Sequence, residues 1–473
     1  MVYFGGLRFT FARDLSWSLA AAPLVLGACG SSSATSHAAL PQVTYNGGSL
    51  LTAPSPVTVT FAGDAMASQL ETFGQSLTSS AWWDAVRVGI CADPGGPCVG
   101  KGAPGVSVEV PSAAPASYTD STVGGASTLQ QWLVAALSSG ALPAPAAGAI
   151  SNTIYVVYLP QTTTVSLDGQ RSCANGSFVG YHNWFTSGSQ KVPYAVVVEC
   201  APTAPPFASV PVTTLLQQTT IAASHEIVEA TTDPIPDTGY ALDPNNTANW
   251  GWLDVTGGGE LADMCVDLLG LNQDHASDGA FTVQRIWSNS RAAALQDPCV
   301  PLLTGAVYFN AAPRQSFFVL PVGGSATFDV DAFSFEPTSS WTLTPQDWSD
   351  STATYLSFSI EGGIATQAGP TLQVHDGASV RVTVTLTKDP GSLDVGEADG
   401  ALVSFSGDPS APTAAHFWPF AVMSDADATD AGIPVPASAA SRVQRVTGTG
   451  GGADWVEARV VNLSRRLTAQ ARN

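Results

Sequence analysis

The sequence predicts an α+β (or α/β) domain over residues 43–304, followed by a β-sandwich of immunoglobulin type over residues 305–424. Three observations predict this. Short β-branched apolar runs alternate with amphipathic helical segments up to about residue 300, the pattern of layered α/β proteins. Beyond that point apolar and polar residues alternate singly between Gly, Pro and Asp turns, the pattern of half-buried strands. Six of the seven cysteines lie between Cys91 and Cys299, so any covalent staples belong to the first part.

The chain opens on a targeting segment, not on fold. Arg8 and Arg13 flank the start, and LSWSLAAAPLVL (Leu15–Leu26) is a short apolar run. LGAC at Leu26–Cys29 follows, and then the polar GSSSATS. This order resembles a bacterial lipoprotein signal, which implies a leader over residues 1–28 and lipidation of Cys29. Residues 29–42 then read as a flexible tether holding the protein to the bacterial cell envelope, facing the periplasm or the exterior. No later run approaches the 18 or more apolar residues that a membrane span requires.

VTVTFAG (Val57–Gly63) alternates like a strand, and Met66–Val86 carries helical spacing. TLQQWLVAALSSG (Thr128–Gly140) reads as a helix ending on a glycine stop. NTIYVVYLP (Asn152–Pro160) and YAVVVEC (Tyr194–Cys200) read as buried strands. Val212–Pro234 is the strongest helix in the chain, closed by Asp-Pro. In the second part SATFDVDAF, YLSFSI and SVRVTVTLT read as strands, with Val380, Val382, Val384 and Leu386 lining one face. No catalytic constellation occurs there. Residues 425–473 read as a low-complexity or disordered tail that holds six of the 17 basic residues.

Composition narrows the function classes. Thirty-eight acidic against 17 basic residues give a net charge of −21. Nucleic acid is excluded as a partner, since its phosphates need Lys and Arg to displace counterions. The absence of G-x-x-x-x-G-K-[ST] and of a strand-borne G-x-G-x-x-G argues against nucleotide. The six remaining cysteines read as disulfides of an exported chain. Pairing neighbours gives Cys91–Cys98, Cys173–Cys200 and Cys265–Cys299, although six cysteines allow fifteen connectivities.

ASHEIVEATTDP (Ala223–Pro234) carries the chemistry. On a helix, His225 and Glu229 are four apart and share a face, where both can reach one ion. Glu226 occupies the position of the zincin glutamate that takes a proton from water. The pattern is H-E-x-x-H with glutamate for the second histidine, a set that suits zinc and other divalent cations. Glutamate is scarce in the chain, ten in all. Between Lys191 and Arg285 there is no Lys or Arg, yet twelve Asp or Glu occur. GGGELADMC (Gly257–Cys265) offers the third ligand, with Glu260 ranked before Asp263; Asp233 is an alternative ligand or orienting group. Tyr181 and His182 in GYHNWF are candidates to steady an oxyanion, and His182 is a further candidate ligand. The competing interpretation is a solvated acidic surface with a histidine satisfied by loop hydrogen bonds.

YNGGSLLTAPSPVTVTFAG, SSAWWDAV, the block C…GYHNWF…YAVVVEC and SHEIVEATTDP…GWLDVTGGGELADMC…VQRIWSN together resemble the Exordium (phosphate-induced protein) type of extracellular domain and its bacterial relatives. The resemblance spans roughly residues 45–300. It implies a secreted or surface protein with a zincin-like core, and places His225, Glu226, Glu229, Asp233, Glu260, Asp263 and the six cysteines in matching positions. The expectation is a metal-dependent hydrolase, a peptidase by motif, acting on peptide or cell-wall polymer with zinc or another divalent cation. The alternative is a non-catalytic surface binding or signalling protein of Exordium type.

Overall fold

The computed structural model describes residues 37–433, apart from 93–94, 122–126, 175–176, 202–213, 237, 270, 272, 350–352, 367–368, 394–395, 409–410 and 431–432. The leader, Cys29 and most of the basic tail lie outside the described residues.

The first part is built on a five-stranded sheet of β1 (Ser55–Phe61), β2 (Val106–Val110), β3 (Thr153–Leu159), β4 (Gly180–Ser187) and β5 (Gln190–Val198), in the order β2-β1-β3-β5-β4. Four strands run parallel, and β4 closes one edge antiparallel to β5. The central strand β3 is buried along its whole length, as the unbroken run TIYVVYL requires of a strand covered on both faces. Helices α1 (Ala67–Leu77), α2 (Ala81–Val86) and α3 (Thr128–Ser139) join these strands. The helix expected over Met66–Val86 is two helices. Ser80 takes extended backbone and its hydroxyl accepts from Trp83 N at 3.1 Å, capping α2 and ending the continuous reading. Helix α3 stops as expected, with Gly140 at φ 76° after its last turn.

Helix α4 (Leu215–Thr232) starts on Thr214, whose hydroxyl accepts from Gln217 N, and ends at Asp233 before Pro234. It is buried on every side from Gln218 onward. One side meets β4 and β5; the other meets the hairpin of β6 (His275–Asp278) and β7 (Phe281–Gln284). A helix enclosed in this way must satisfy its polar side chains internally, because water does not reach them.

The second part is a two-sheet β-sandwich. A four-stranded sheet holds β8 (Phe309–Pro313), β10 (Ser325–Ser334), β15 (Ser379–Leu386) and β12 (Leu356–Ile360) in that spatial order. A six-stranded sheet holds β9 (Phe317–Leu320), β17 (Ala411–Ser424), β16 (Glu397–Asp408), β11 (Trp341–Asp347), β14 (Gly369–Val374) and β13 (Ile364–Thr366). Phe328 and Phe358 of one sheet pack against Phe420 of the other, at 5.5 and 6.2 Å between ring centroids. Val382, Val384 and Leu386 are fully buried on the expected face of β15, and Val380 is half-buried. The architecture as a whole is mixed α and β, with several sheets.

The two parts share a continuous core. Helix α5 (Trp250–Thr256) lies on the sandwich: Trp252 meets Trp418 at 5.6 Å and Trp250 meets Phe317 at 4.6 Å. Gly251 permits this approach, since a Cβ there would stand 2.7 Å from Phe420 N. The tether expected up to residue 42 is packed from His37 on. His37 stacks on Phe333 at 3.8 Å, and Leu40 is buried. Asp425–Asp430, expected within the tail, form a short helix.

Candidate metal centre

Three elements converge beside β4. Helix α4 supplies His225, Glu226 and Glu229 from successive turns. Strand β4 supplies His182. The segment after α5 supplies Glu260 and Asp263, the latter in a 3₁₀ turn over Asp263–Cys265. The Cys265–Cys299 disulfide pins that turn, and Asp263 Oδ2 accepts from Glu260 N at 3.0 Å. All three expected disulfides are formed.

His225 Nε2 lies 2.9 Å from Glu229 Oε1 and 3.6 Å from Asp263 Oδ1. His182 Nδ1 lies 3.5 Å from Glu229 Oε2 and 3.7 Å from Glu226 Oε2, while its Nε2 is 3.9 Å from Glu260 Oε2. Two donor sets result: His225, Glu229 and Asp263, and His182, Glu226 and Glu229. Donors around one tetrahedral ion at bond lengths of about 2.0–2.2 Å stand about 3.3–3.6 Å apart; the 3.5 and 3.6 Å separations fall in that range and the 2.9 Å one is shorter. His225, Glu226, Glu229 and Asp263 are 0 % exposed, His182 7 % and Glu260 8 %.

Gln284 at the end of β7 decides what can lie between these groups. Its amide nitrogen donates to Ala262 O, which leaves Oε1 to face His225 Nδ1 at 2.9 Å. That oxygen only accepts, so Nδ1 carries a proton, and Nε2 turns toward two carboxylates, where it holds either a second proton or a metal. Lone pairs 2.9 Å apart need a cation between them, a proton or a metal. Both oxygens of Glu226, Glu260 Oε2 and His182 Nε2 are buried without a hydrogen bond. Four carboxylates with no Lys or Arg among them are costly to enclose unless something positive joins them.

The electrostatics show how the protein answers with protons alone. Burial raises Glu226 to about 7 and holds Glu260 and Asp263 well above the carboxylate range, with the Glu229 charge adding to both. Burial would lower His182, but Glu260, Glu226 and Glu229 outweigh it and hold the imidazole well above its ordinary value. His225 is raised against the same burial, chiefly by Glu229. Glu229 alone is lowered, because His225 and His182 outweigh its desolvation.

Several expectations change at this point. Asp263, ranked second, completes the His225 set, whereas Glu260 faces His182. Tyr181 is not in the centre. Successive residues of a strand face opposite ways, so the strand that aims His182 at α4 aims Tyr181 to the other side of the sheet. There its hydroxyl donates to Asp120 Oδ2 at 2.7 Å, beside Tyr194. Asp233 belongs to neither donor set; its Oδ1 accepts from Gly239 N at 2.8 Å and Thr238 N at 3.2 Å, holding the turn after α4. Gln284 was not singled out in the sequence, where one glutamine on a short strand carries no signal.

No family model matches the chain, and no curated protein matches it. Among solved structures it is similar over limited stretches to a conjugative transposon lipoprotein from Bacteroides eggerthii, at 11% identity, 24% of this chain, 95% of that one and a TM-score of 0.19. Domain 1 of VCBP3 from Branchiostoma floridae is matched at 6% identity over 26% of this chain and 98% of that one, TM-score 0.17. The periplasmic chaperone SfaE is matched at 10% identity over 24% of this chain and 56% of that one, TM-score 0.16. Among the described residues no helix is long and apolar enough to cross a membrane.

Proposed function

We propose that the chain is an exported metal-dependent hydrolase, a peptidase by its H-E-x-x-E helix, with a zincin-like core of Exordium type and an immunoglobulin-type sandwich. The observation that carries this reading is the convergence of His225 Nε2, Glu229 Oε1 and Asp263 Oδ1, at 2.9 and 3.6 Å from the imidazole, in a fully buried cluster. The donors fit zinc or another divalent cation, since imidazole and carboxylate together suit several such ions. His225, Glu229 and Asp263 would hold it. A bound divalent cation supplies Lewis-acid polarisation of a carbonyl and makes water more acidic. Glu226 is the residue to take the proton of the attacking water, and burial raises it to about 7, the range in which a carboxylate is a strong enough base near neutrality. His182 sits between Glu226 and Glu260 and orients the carboxylate that moves the proton. Peptides and cell-wall polymers are the substrate classes.

A second reading is favoured by the burial itself. None of the six donors is more than 8 % exposed, which suits a metal that stabilises a surface binding or signalling protein without turnover. One experiment separates the two. The mature chain is prepared without chelator, its metal content measured, and a mixed peptide library assayed beside Glu226→Gln. Metal with cleavage that depends on Glu226 supports the hydrolase. Metal without cleavage supports the binding protein, and folded protein without metal sinks both.

The three disulfides fit an oxidising compartment, and the leader fits lipidation at Cys29 in a bacterial envelope. Cys29→Ser should move the protein from the membrane fraction to the soluble one. Unchanged fractionation would remove the anchor from this reading.

A further inference from the structure

Glu229 turns its two oxygens to different partners. Oε1 lies beside His225 Nε2, on the side where Asp263 Oδ1 stands, and Oε2 lies beside His182 Nδ1, on the side of Glu226 Oε2. Each side is a complete donor set, with ligand atoms within 4.8 Å of one another. Resting on the metal reading above, we propose that the centre holds two divalent cations bridged by the Glu229 carboxylate, one in the His225–Asp263 set and one in the His182–Glu226 set.

Charge supports two ions over one. With neutral imidazoles and metal in place of protons, Glu226, Glu229, Glu260 and Asp263 carry four negative charges in a buried cluster. One divalent cation leaves two charges uncompensated; a second balances them. A carboxylate that bridges through both oxygens suits the separation of about 3.5–4 Å found in two-metal hydrolytic sites.

Both histidines turn their second nitrogen toward a side-chain oxygen, and only His225 makes a hydrogen bond there. A ligating imidazole commonly gives its other nitrogen to a carbonyl or carboxylate, which fixes the tautomer. His225 does this with Gln284 Oε1 at 2.9 Å. His182 turns its other nitrogen, buried and without a hydrogen bond, toward Glu260 Oε2. Glu260 therefore faces His182 from outside the two donor sets. Glu226 retains a free hand: Oε2 lies on the His182 side, and Oε1 lies against Gly180, where a Cβ would come within 2.8 Å of it.

The test is a titration of metal-free mature chain with zinc(II) by calorimetry and with manganese(II) by electron paramagnetic resonance. Two equivalents are expected, and the second should convert the isolated-ion manganese spectrum into that of an exchange-coupled pair. His182→Ala should keep one equivalent and lose the coupling, while Glu229→Gln should weaken both equivalents at least tenfold. Disulfide count and near-ultraviolet circular dichroism check each fold, and the manganese spectrum of the unsubstituted chain decides even where a variant fails to fold. A single uncoupled equivalent, unchanged by His182→Ala, overturns the second ion and leaves the one-metal centre standing. Folded protein that takes up no metal overturns both.

Discussion

Gln284 Oε1 stands 2.9 Å from His225 Nδ1, across 59 residues of chain, and sets which nitrogen of the imidazole faces the carboxylates. Removing the amide leaves the ring free to choose its tautomer. Gln284→Leu should therefore weaken zinc binding about 10–100-fold, the usual cost of losing such a support. Gln284→Glu, which still accepts from Nδ1, should lose less. Competition against a chromophoric chelator measures both, and equal affinity in Gln284→Leu would exclude this role.

Gly180 lies at the start of β4 against the Glu226 side chain. An added Cβ would come within 2.8 Å of Oε1 and 3.0 Å of Cγ, so the carboxylate would have to shift. Gly180→Ala should displace Glu226 and cut any hydrolytic kcat at least tenfold while the chain still folds. A substitution with full activity would show that Glu226 need not hold this position.

The Cys265–Cys299 bridge closes a loop of 34 residues and anchors the last residue of the turn that carries Asp263. Chain-entropy arguments assign such a loop about 4 kcal/mol. Replacing both cysteines with serine should lower the melting temperature and weaken metal binding together, because Asp263 loses its fixed place. Weaker stability with unchanged metal affinity would separate the bridge from the centre.

Metal-free protein should become less stable as pH rises from about 4.5 through 7. Glu226, normally near 4.5, is held at about 7 by burial, so its folded form is favoured while protonated. His182 and His225 are raised as well, and their contribution is also lost as pH rises through their folded values. Glu229 acts oppositely, but only as pH falls below its ordinary 4.5. Divalent cations compete with these protons, so the gain in melting temperature on adding zinc should grow from pH 5 to pH 8. A gain independent of pH would contradict a site built from these groups.

Much of this arrangement was legible in the residues. The H-E-x-x-E spacing places His225 and Glu229 on one helix face whatever surrounds it, and cysteine order gave all three bridges. The alternation of SVRVTVTLT gave a strand and its buried face. What remained hidden depended on registers that local pattern does not specify. Whether Tyr181 or His182 faces α4 follows from how β4 pairs with β5. Asp263 joins the His225 set and Glu260 faces His182 because of a 3₁₀ turn tied to a remote cysteine, which local pattern does not specify. Gln284 arrives from a hairpin that folds over the helix, a contact no short window contains.

The stacking of His37 on Phe333 sets a leash length. From Cys29 to His37 there are eight residues, which reach about 26–29 Å when fully drawn out. A lipid on Cys29 would then hold the sandwich within roughly 3 nm of the bilayer. Such a protein would work in the layer next to the membrane, with no stalk to lift it, and its customers would have to come down to that layer.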